Sequence, residues 1–265
     1  MNLRLIAGAA GVVLLPACAI AAEPGAAAPE NQFLIGGGVA AVSRYAGSDQ
    51  LAAAPLLLLD YSHTSGFFAS TLRGLGYGGQ AGAVTYSAAL GYRAERKEKD
   101  ENGSFGSRGS ERLKGMGDVE GNATAVLSLG YKPLPMLELN VAGEIPLSHS
   151  RNGKNVHAGA TARLMDAPND NVALAVSGGF ADKDYAQTYF GVTAAQAGTS
   201  RFAAYKPKAG LYEANVMLSW QHRLGEKWSV TSSLGATHLL GDAARSPLTE
   251  RKTSPTGAVY VSYSY

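Results

Sequence analysis

Five histidines, His63, His149, His157, His222 and His238, are the side chains best suited to acid–base or metal chemistry near neutral pH. A helical zinc pair needs two imidazoles four residues apart so that both reach one ion, and no H-x-x-x-H occurs. His149 precedes Ser150, placing a base beside a hydroxyl nucleophile, and His157 shares the polar face of an alternating segment with Arg163. Activating a serine also needs a carboxylate to orient the imidazole, and neither histidine has an evident one at matching strand spacing. Gly74-Leu75-Gly76-Tyr77-Gly78-Gly79 matches the G-x-G-x-x-G of dinucleotide sites, but the next segment alternates with period two instead of opening a helix to hold phosphates. These glycines read as a turn and a place of close strand contact. The residues therefore call for no catalytic group, no cofactor and no metal. Nucleic acid is also excluded: the net charge is only +2, and Arg93, Arg96, Lys97 and Lys99 are interleaved with Glu95, Glu98, Asp100 and Glu101 as in a solvated loop.

The elements that would position any such group alternate with period two. Between Leu211 and Leu224 one face carries Tyr212, Ala214, Val216, Leu218, Trp220 and Leu224, and the other Glu213, Asn215, Ser219, Gln221 and Arg223. Trp228, Val230, Leu234 and Ala236 oppose Ser229, Thr231, Ser233 and Thr237, and Gly225-Glu226-Lys227 turns one segment into the next. The pattern recurs around residues 85–95, 122–131 and 137–145. Such strands are wet on one side only. A soluble sandwich alternates too, but these segments reach ten or more residues, the length of a tilted membrane strand. Phe67, Phe68, Tyr77, Tyr92, Tyr131, Trp220 and Trp228 sit near segment ends, where interfacial girdles lie. With 33 glycines, 13 tyrosines and no apolar run near eighteen residues in the mature chain, the composition suits an antiparallel transmembrane β-barrel and excludes a helical span.

About eleven strands are legible, beginning near residues 33, 53, 67, 84, 121, 136, 156, 171, 211, 228 and 255. Single-chain barrels have even strand numbers, so twelve is the expectation, ten the alternative, and the missed strand is sought within residues 184–209. Val259, Val261, Tyr263 and Tyr265 share one face of the last strand, an aromatic ending of the kind that barrel-assembly machinery recognises. With that end periplasmic, Pro168-Asn169-Asp170 and Gly225 to Lys227 are inner turns, and residues 98–120, 184–209 and 241–254 are outer loops. Arg73, Arg93, Glu138, Glu144, Arg163, Glu213 and Arg223 face inward as a mixed-sign lumen.

Residues 1–21 have the three-part layout of a secretory signal: a cation at Arg4, an apolar stretch from Leu5 to Leu15 too short to span a bilayer, and Ala19-Ile20-Ala21 before the cut. Residues 22–265 then form the outer-membrane barrel. Leu15-Pro16-Ala17-Cys18 offers a rival, lipoprotein cut, although proline is unusual at that place.

Several motifs follow one another in a specific order: Tyr45-Ala46-Gly47-Ser48-Asp49, Pro55, Phe67-Phe68, Gly74-Leu75-Gly76-Tyr77, Gly91-Tyr92-Arg93, Lys114-Gly115-Met116-Gly117-Asp118, Tyr189-Phe190-Gly191-Val192, Ser200, Tyr205, and Gly241-Asp242-Ala243-Ala244-Arg245-Ser246-Pro247. Together they resemble the MipA/OmpV outer-membrane proteins over nearly the whole mature chain, with methionine at 116 where that family has leucine. The resemblance implies a noncatalytic barrel, and in its best-known branch a scaffold joining a lytic transglycosylase to a bifunctional murein synthase; other members are discussed as porins, osmotic-response proteins or adhesins. A small porin is the alternative, and a lipid-acting enzyme would need His149 or His157. Tyr45, Gly47, Ser48, Asp49, Gly117, Asp118, Tyr189, Phe190, Gly191, Asp242, Ser246 and Pro247 are read either as turns with glycine at positive φ or as an inward plug or partner-binding face. The leader yields one direct check: in Cys18→Ser the mature mass and membrane extraction are expected to be unchanged, and retention of the precursor would establish lipoprotein processing.

Overall fold

The computed structural model describes residues 31–103 and 106–265. The leader and both of its proposed cuts, including Cys18, lie outside the described residues. Twelve antiparallel strands close into a barrel, the number expected from sequence. In chain order the strands are β1 (Gln32–Ser43), β2 (Leu51–Ser62), β3 (Phe67–Ser70), β4 (Gly74–Ala81), β5 (Val84–Arg93), β6 (Glu101–Gly103), β7 (Gly106–Arg108), β8 (Asn122–Leu134), β9 (Leu137–Pro146), β10 (Asn155–Asp166), β11 (Asp170–Ala181), β12 (Gly210–Arg223), β13 (Trp228–Leu239) and β14 (Thr253–Ser264). β6 and β7 form a separate two-stranded hairpin in the loop after β5, and the other twelve make the wall. Closure comes from β1 pairing with β14, in register from Leu34 with Ser264 to Ala41 with Gly257.

Alternation dictates which way each strand faces. Val176, Val216, Leu218, Leu234 and Val259 stand exposed on the outer face, while their neighbours Ala175, Met217, Ser233 and Ala258 are buried inside. A continuous apolar exterior is intolerable in water, and matches the hydrocarbon band of a bilayer. Phe67, Tyr77, Tyr92, Tyr131, Trp220 and Trp228 are exposed on that exterior. At the barrel end where β1 starts and β14 finishes, Phe33, Trp228, Tyr263 and Tyr265 form a chain of aromatic contacts with centroids 4.7–5.6 Å apart.

Three expectations need correction. The strand missing from the sequence reading is β4, not a segment of 184–209. Its sequence, GLGYGGQA, is half glycine and carries too few side chains to register as an alternating strand. Residues 184–209 instead hold two short helices, α1 (Lys183–Phe190), capped by Asp182, and α2 (Ala194–Thr199), with a capping box of Thr193 and Gln196. Tyr212 and Phe68 both point inward. Gly179 faces Glu213 while Phe180 faces Leu211, so Tyr212 is the extra residue of a β-bulge, which turns its ring into the barrel. Phe68 lies on the inner parity of β3, beside the outward Phe67.

Loop lengths are asymmetric. Residues 44–50, 94–121, 147–154, 182–209 and 240–252 leave one end of the barrel, and the turns at 63–66, 82–83, 135–136, 167–169 and 224–227 close the other. The sequence-derived outer loops thus share one end and the two inner turns share the opposite one. Burial of the outer face in lipid has a measurable consequence: Leu218→Arg, mid-strand and outward, is expected to cost roughly 2–4 kcal/mol in urea-dependent refolding into vesicles, whereas Ser219→Arg, inward and next in sequence, escapes that membrane penalty.

Candidate functional site

Above the long-loop rim the loops pack on one another as a second apolar core. Tyr45, Leu113, Met116, Val192, Phe202 and Leu248 come from four loops and bury one another. Gly47, at φ +93°, lets its carbonyl accept from the backbone N–H groups of Glu250 and Arg251 at 2.8 and 2.9 Å, and a Cβ there would strike Thr249. Ser48 is buried, its hydroxyl accepting from Gln50 N. Asp49 pairs with Arg112 at 3.2 Å, and Arg112 continues to Glu250 at 3.0 Å. The N–H groups of Gly115 and Gly117 both donate to one Glu98 oxygen at 2.9 Å, and Asp118 binds Lys97 Nζ and the Glu98 N–H at 3.0 Å. That backbone bond and Lys97 hold the Asp118 carboxyl below the usual carboxylate range. Asp242 accepts from Lys208 N and pairs with Arg245, and the half-buried Pro247 follows Ser246.

Beneath this cap, α1 lies across the barrel mouth. Phe190, fully buried, contacts the Tyr212 ring, and Tyr185 packs between Tyr189 at 4.5 Å and Tyr212 at 5.2 Å. A helix ends in carbonyls that lack partners. Here the buried Arg96 guanidinium donates to Thr188 O and Tyr189 O at 3.3 and 3.0 Å, and Ser246 Oγ donates to Phe190 O at 2.6 Å. Gly191 donates its N–H to Gln187 O and closes the last turn. Burial lowers the Arg96 pKa, and the placement of its charge at a helix C-terminus offsets part of that cost. Gly153, at φ +67°, permits close approach of the loop between β9 and β10 to the helix: a Cβ there would sit 1.9 Å from Tyr185 N. The motif residues of the loops are thereby gathered at one end, in the cap or on the helix beneath it.

A cavity of about 830 Å³ runs inside the wall from the short-turn end to α1. Arg93 forms a two-nitrogen contact with Glu144 at 3.1 and 2.7 Å and donates to the carbonyls of Asn152 and Gly153 under Tyr185. Arg73 grips Asp60 through two nitrogens at 3.2 and 2.6 Å. Glu213 lies 3.0 Å from His157 and accepts from Asn215. His157 thus has the carboxylate that its own strand did not reveal, because β11 intervenes between β10 and β12 and linear spacing cannot show the pairing. Tyr212 Oη also lies 3.0 Å from that imidazole nitrogen. Glu138 lines the cavity, Arg163 reaches Asp166 at 3.0 Å near the short turns, and Arg223 is exposed at the end of β12. His149 stands in a turn at φ +50° and is not among the residues that line the cavity.

The profile of the family described as MltA-interacting protein MipA matches residues 35–265, all of the barrel and its cap except the first three residues of β1. The chain belongs to the MipA family. No curated protein matches the sequence. Among solved structures, an outer membrane channel from Pseudomonas putida F1 is similar over 92% of this chain and 98% of its own, at 12% identity and a TM-score of 0.47. The channel DcaP of Acinetobacter baumannii is similar over 91% and 100%, at 8% identity and a TM-score of 0.37.

Sequence reading missed α1 as a stopper, Asp60 as the partner of Arg73, and Arg96 as the anchor of the helix. One signal was present: Asp182 and Thr193 each stand three residues before a residue whose N–H they cap. The cap makes two predictions. The Tyr45 hydroxyl is buried without a hydrogen-bond partner among the described residues, so Tyr45→Phe is expected to change cap stability by less than about 1 kcal/mol, while Leu248→Ala costs about 2–5 kcal/mol, read by urea-dependent proteolysis of the loops. Burial also pushes the Tyr45 phenol up to about 12, so the folded cap keeps a proton that the unfolded chain releases near pH 10; this stability is intact below pH 10 and lost as pH rises toward 12, and Tyr45→Phe abolishes that component of alkaline loosening.

Proposed function

We propose that this MipA-family barrel is a noncatalytic outer-membrane scaffold that brings a lytic transglycosylase together with a bifunctional murein synthase. The observation that carries this reading is the stoppered lumen. α1, pinned by Arg96 and Ser246 beneath an ordered cap, occupies the axial route that an open diffusion pore needs. The description of the family as an interacting protein supports a binding role. In the membrane the aromatic seam at Tyr263 and Tyr265 serves as the assembly signal, the leader is cut after Ala21, and the long loops face outward.

Murein enzymes work on the periplasmic side, so this orientation places their docking surface on the short-turn rim. Tyr45, Asp49, Asp118, Tyr189, Asp242 and the other motif residues then act as cap and plug and do not touch those enzymes. Envelope crosslinking with mass spectrometry tests both points. Crosslinks to the two enzymes are expected from Lys132 and Lys227, near short turns, and not from the cap lysines Lys114, Lys206 and Lys252; recovery of neither enzyme would sink the scaffold reading.

A second reading, a narrow channel, is favoured by the 830 Å³ cavity, one wall of which carries Asn140, His157, Thr161, Glu213 and Asn215. Planar-bilayer recording separates the two: the unaltered protein is expected to show no steady conductance, and Gly153→Ala, which forces the loop between β9 and β10 against Tyr185, is expected to produce intermittent opening. Steady conductance from the unaltered protein establishes the channel.

A further inference from the structure

The wall is incomplete on one side. β2 pairs with β1 along its entire length, from Gln32 with Ser62 to Ser43 with Leu51, but with β3 only through Asp60, Tyr61 and Ser62. β3 has four residues, and β4 starts at Gly74, opposite Ser70. The row Asp60, Ser70, Gly74 is therefore the last that crosses from β2 to β4. Beyond it, towards the long loops, β2 continues for nine residues with no strand in its ladder on that side among the described residues. The other seams of the barrel, apart from that between β3 and β4, pair seven residues or more.

The turn between β3 and β4 forms the lower lip of this notch. Thr71 N donates to Leu59 O at 2.9 Å, Thr71 Oγ1 donates to Leu57 O at 2.9 Å, and Leu59 N donates to Thr71 Oγ1 at 3.1 Å. These bonds show that the odd-numbered residues of β2 turn their backbone groups to the notch, because successive residues in a strand point to opposite sides. Pro55 is one of them. A proline there removes a donor from an edge that no strand joins among the described residues, the placement expected at an unpaired strand edge. Leu51 and Ala53 remain beyond it, and β7 passes beside β2 without joining its ladder. An open edge is not tolerated against hydrocarbon, but it is tolerated where it borders a cavity.

The cavity does reach this place. Thr71, Leu72, Arg73, Gly74, Leu90 and Tyr92 line it, and Leu90 and Tyr92 stand on the outer face of β5. The cavity lining beside the notch is apolar: Val42, Phe68 and Leu72 face the cavity, and Val42 and Leu72 are backed by the buried cluster of Leu56, Leu58, Ala40, Ala258 and Tyr260. The wall across the lumen, on β9, β10 and β12, is polar, with Asn140, His157, Thr161, Glu213 and Asn215 on the cavity. The lumen is thus two-faced, its apolar side adjoins lipid, and its axial mouth is stoppered. We propose that the notch between β2 and β5 is a lateral portal through which an amphipathic molecule with a single acyl chain passes between the bilayer and the lumen, its chain along the side of Val42, Phe68 and Leu72 and its polar head toward the wall of β10 and β12.

The test uses the full-length protein refolded in vesicles containing a lysophospholipid brominated in its acyl chain, which quenches tryptophan on contact. In a Trp220→Phe, Trp228→Phe background, Leu72→Trp and Phe68→Trp report on the lip, Met217→Trp on the lumen wall across from it, and Leu218→Trp on the lipid-facing surface. A severalfold greater loss of emission is expected in Leu72→Trp and Phe68→Trp than in Met217→Trp, approaching that of Leu218→Trp. Either lip variant suffices if the other does not refold, as judged by heat-dependent gel migration. Loss at the lip no greater than in Met217→Trp, whether because no lysophospholipid enters or because it enters along the axis, overturns the proposal.

Discussion

The structure depends on one constraint: a backbone whose N–H and C=O groups meet hydrocarbon must satisfy them within itself. The pairing of β1 with β14 answers that demand, because it turns a sheet with two open edges into one without ends. Alternation follows from closure. Once the ring is shut, every second side chain meets lipid and every other one meets the lumen, and the contrast of Leu218 with Met217 and Ser219, or of Val259 with Ala258 and Tyr260, is its local expression. The same constraint makes the short β3 consequential, since it is there that the ladder breaks and Pro55 removes a donor from the exposed edge of β2.

Closing a twelve-stranded ring leaves a lumen that side chains from the wall alone do not fill. The chain fills its mouth with α1, and the fit rests on specific local devices: a bulge that swings Tyr212 inward, a glycine at 153 with no Cβ to collide with Tyr185, and Arg96 against the carbonyls at the helix end. Arg93 ties these together, since it contacts Glu144 in the wall, the carbonyls of the loop at 152–153 and the faces of Tyr185 and Tyr189. Above them the cap has an apolar core of its own, so the loops behave as a packed unit and not as separate connections.

Much of the wall was legible in the sequence because period two is a local property. Eleven of the twelve strands could be located, as could the short-turn and long-loop ends, from residues within ten positions of one another. β4 escaped because its glycines leave little hydrophobic contrast to read. Tyr212 was placed on the wrong face because a single inserted residue shifts parity without any change in composition. The candidate loop motifs were found as short strings, yet nothing in those strings says that Tyr45 and Leu248 touch, or that Ser246 reaches the end of a helix 56 positions earlier.

What the sequence by itself determined is therefore what neighbours along the chain decide: strand-length alternation, turns, aromatic ends, helix caps and membership of the MipA family. What only the tertiary structure decided is how strands and loops are set against one another. Glu213 meets His157 across an intervening strand, Asp60 meets Arg73, α1 stoppers the mouth, and the wall is left open beside β2. The reason is geometric. Register within a strand is written every two residues, but the stagger between strands, and hence which distant groups share a level in the lumen, is set by the shear of the closed barrel as a whole.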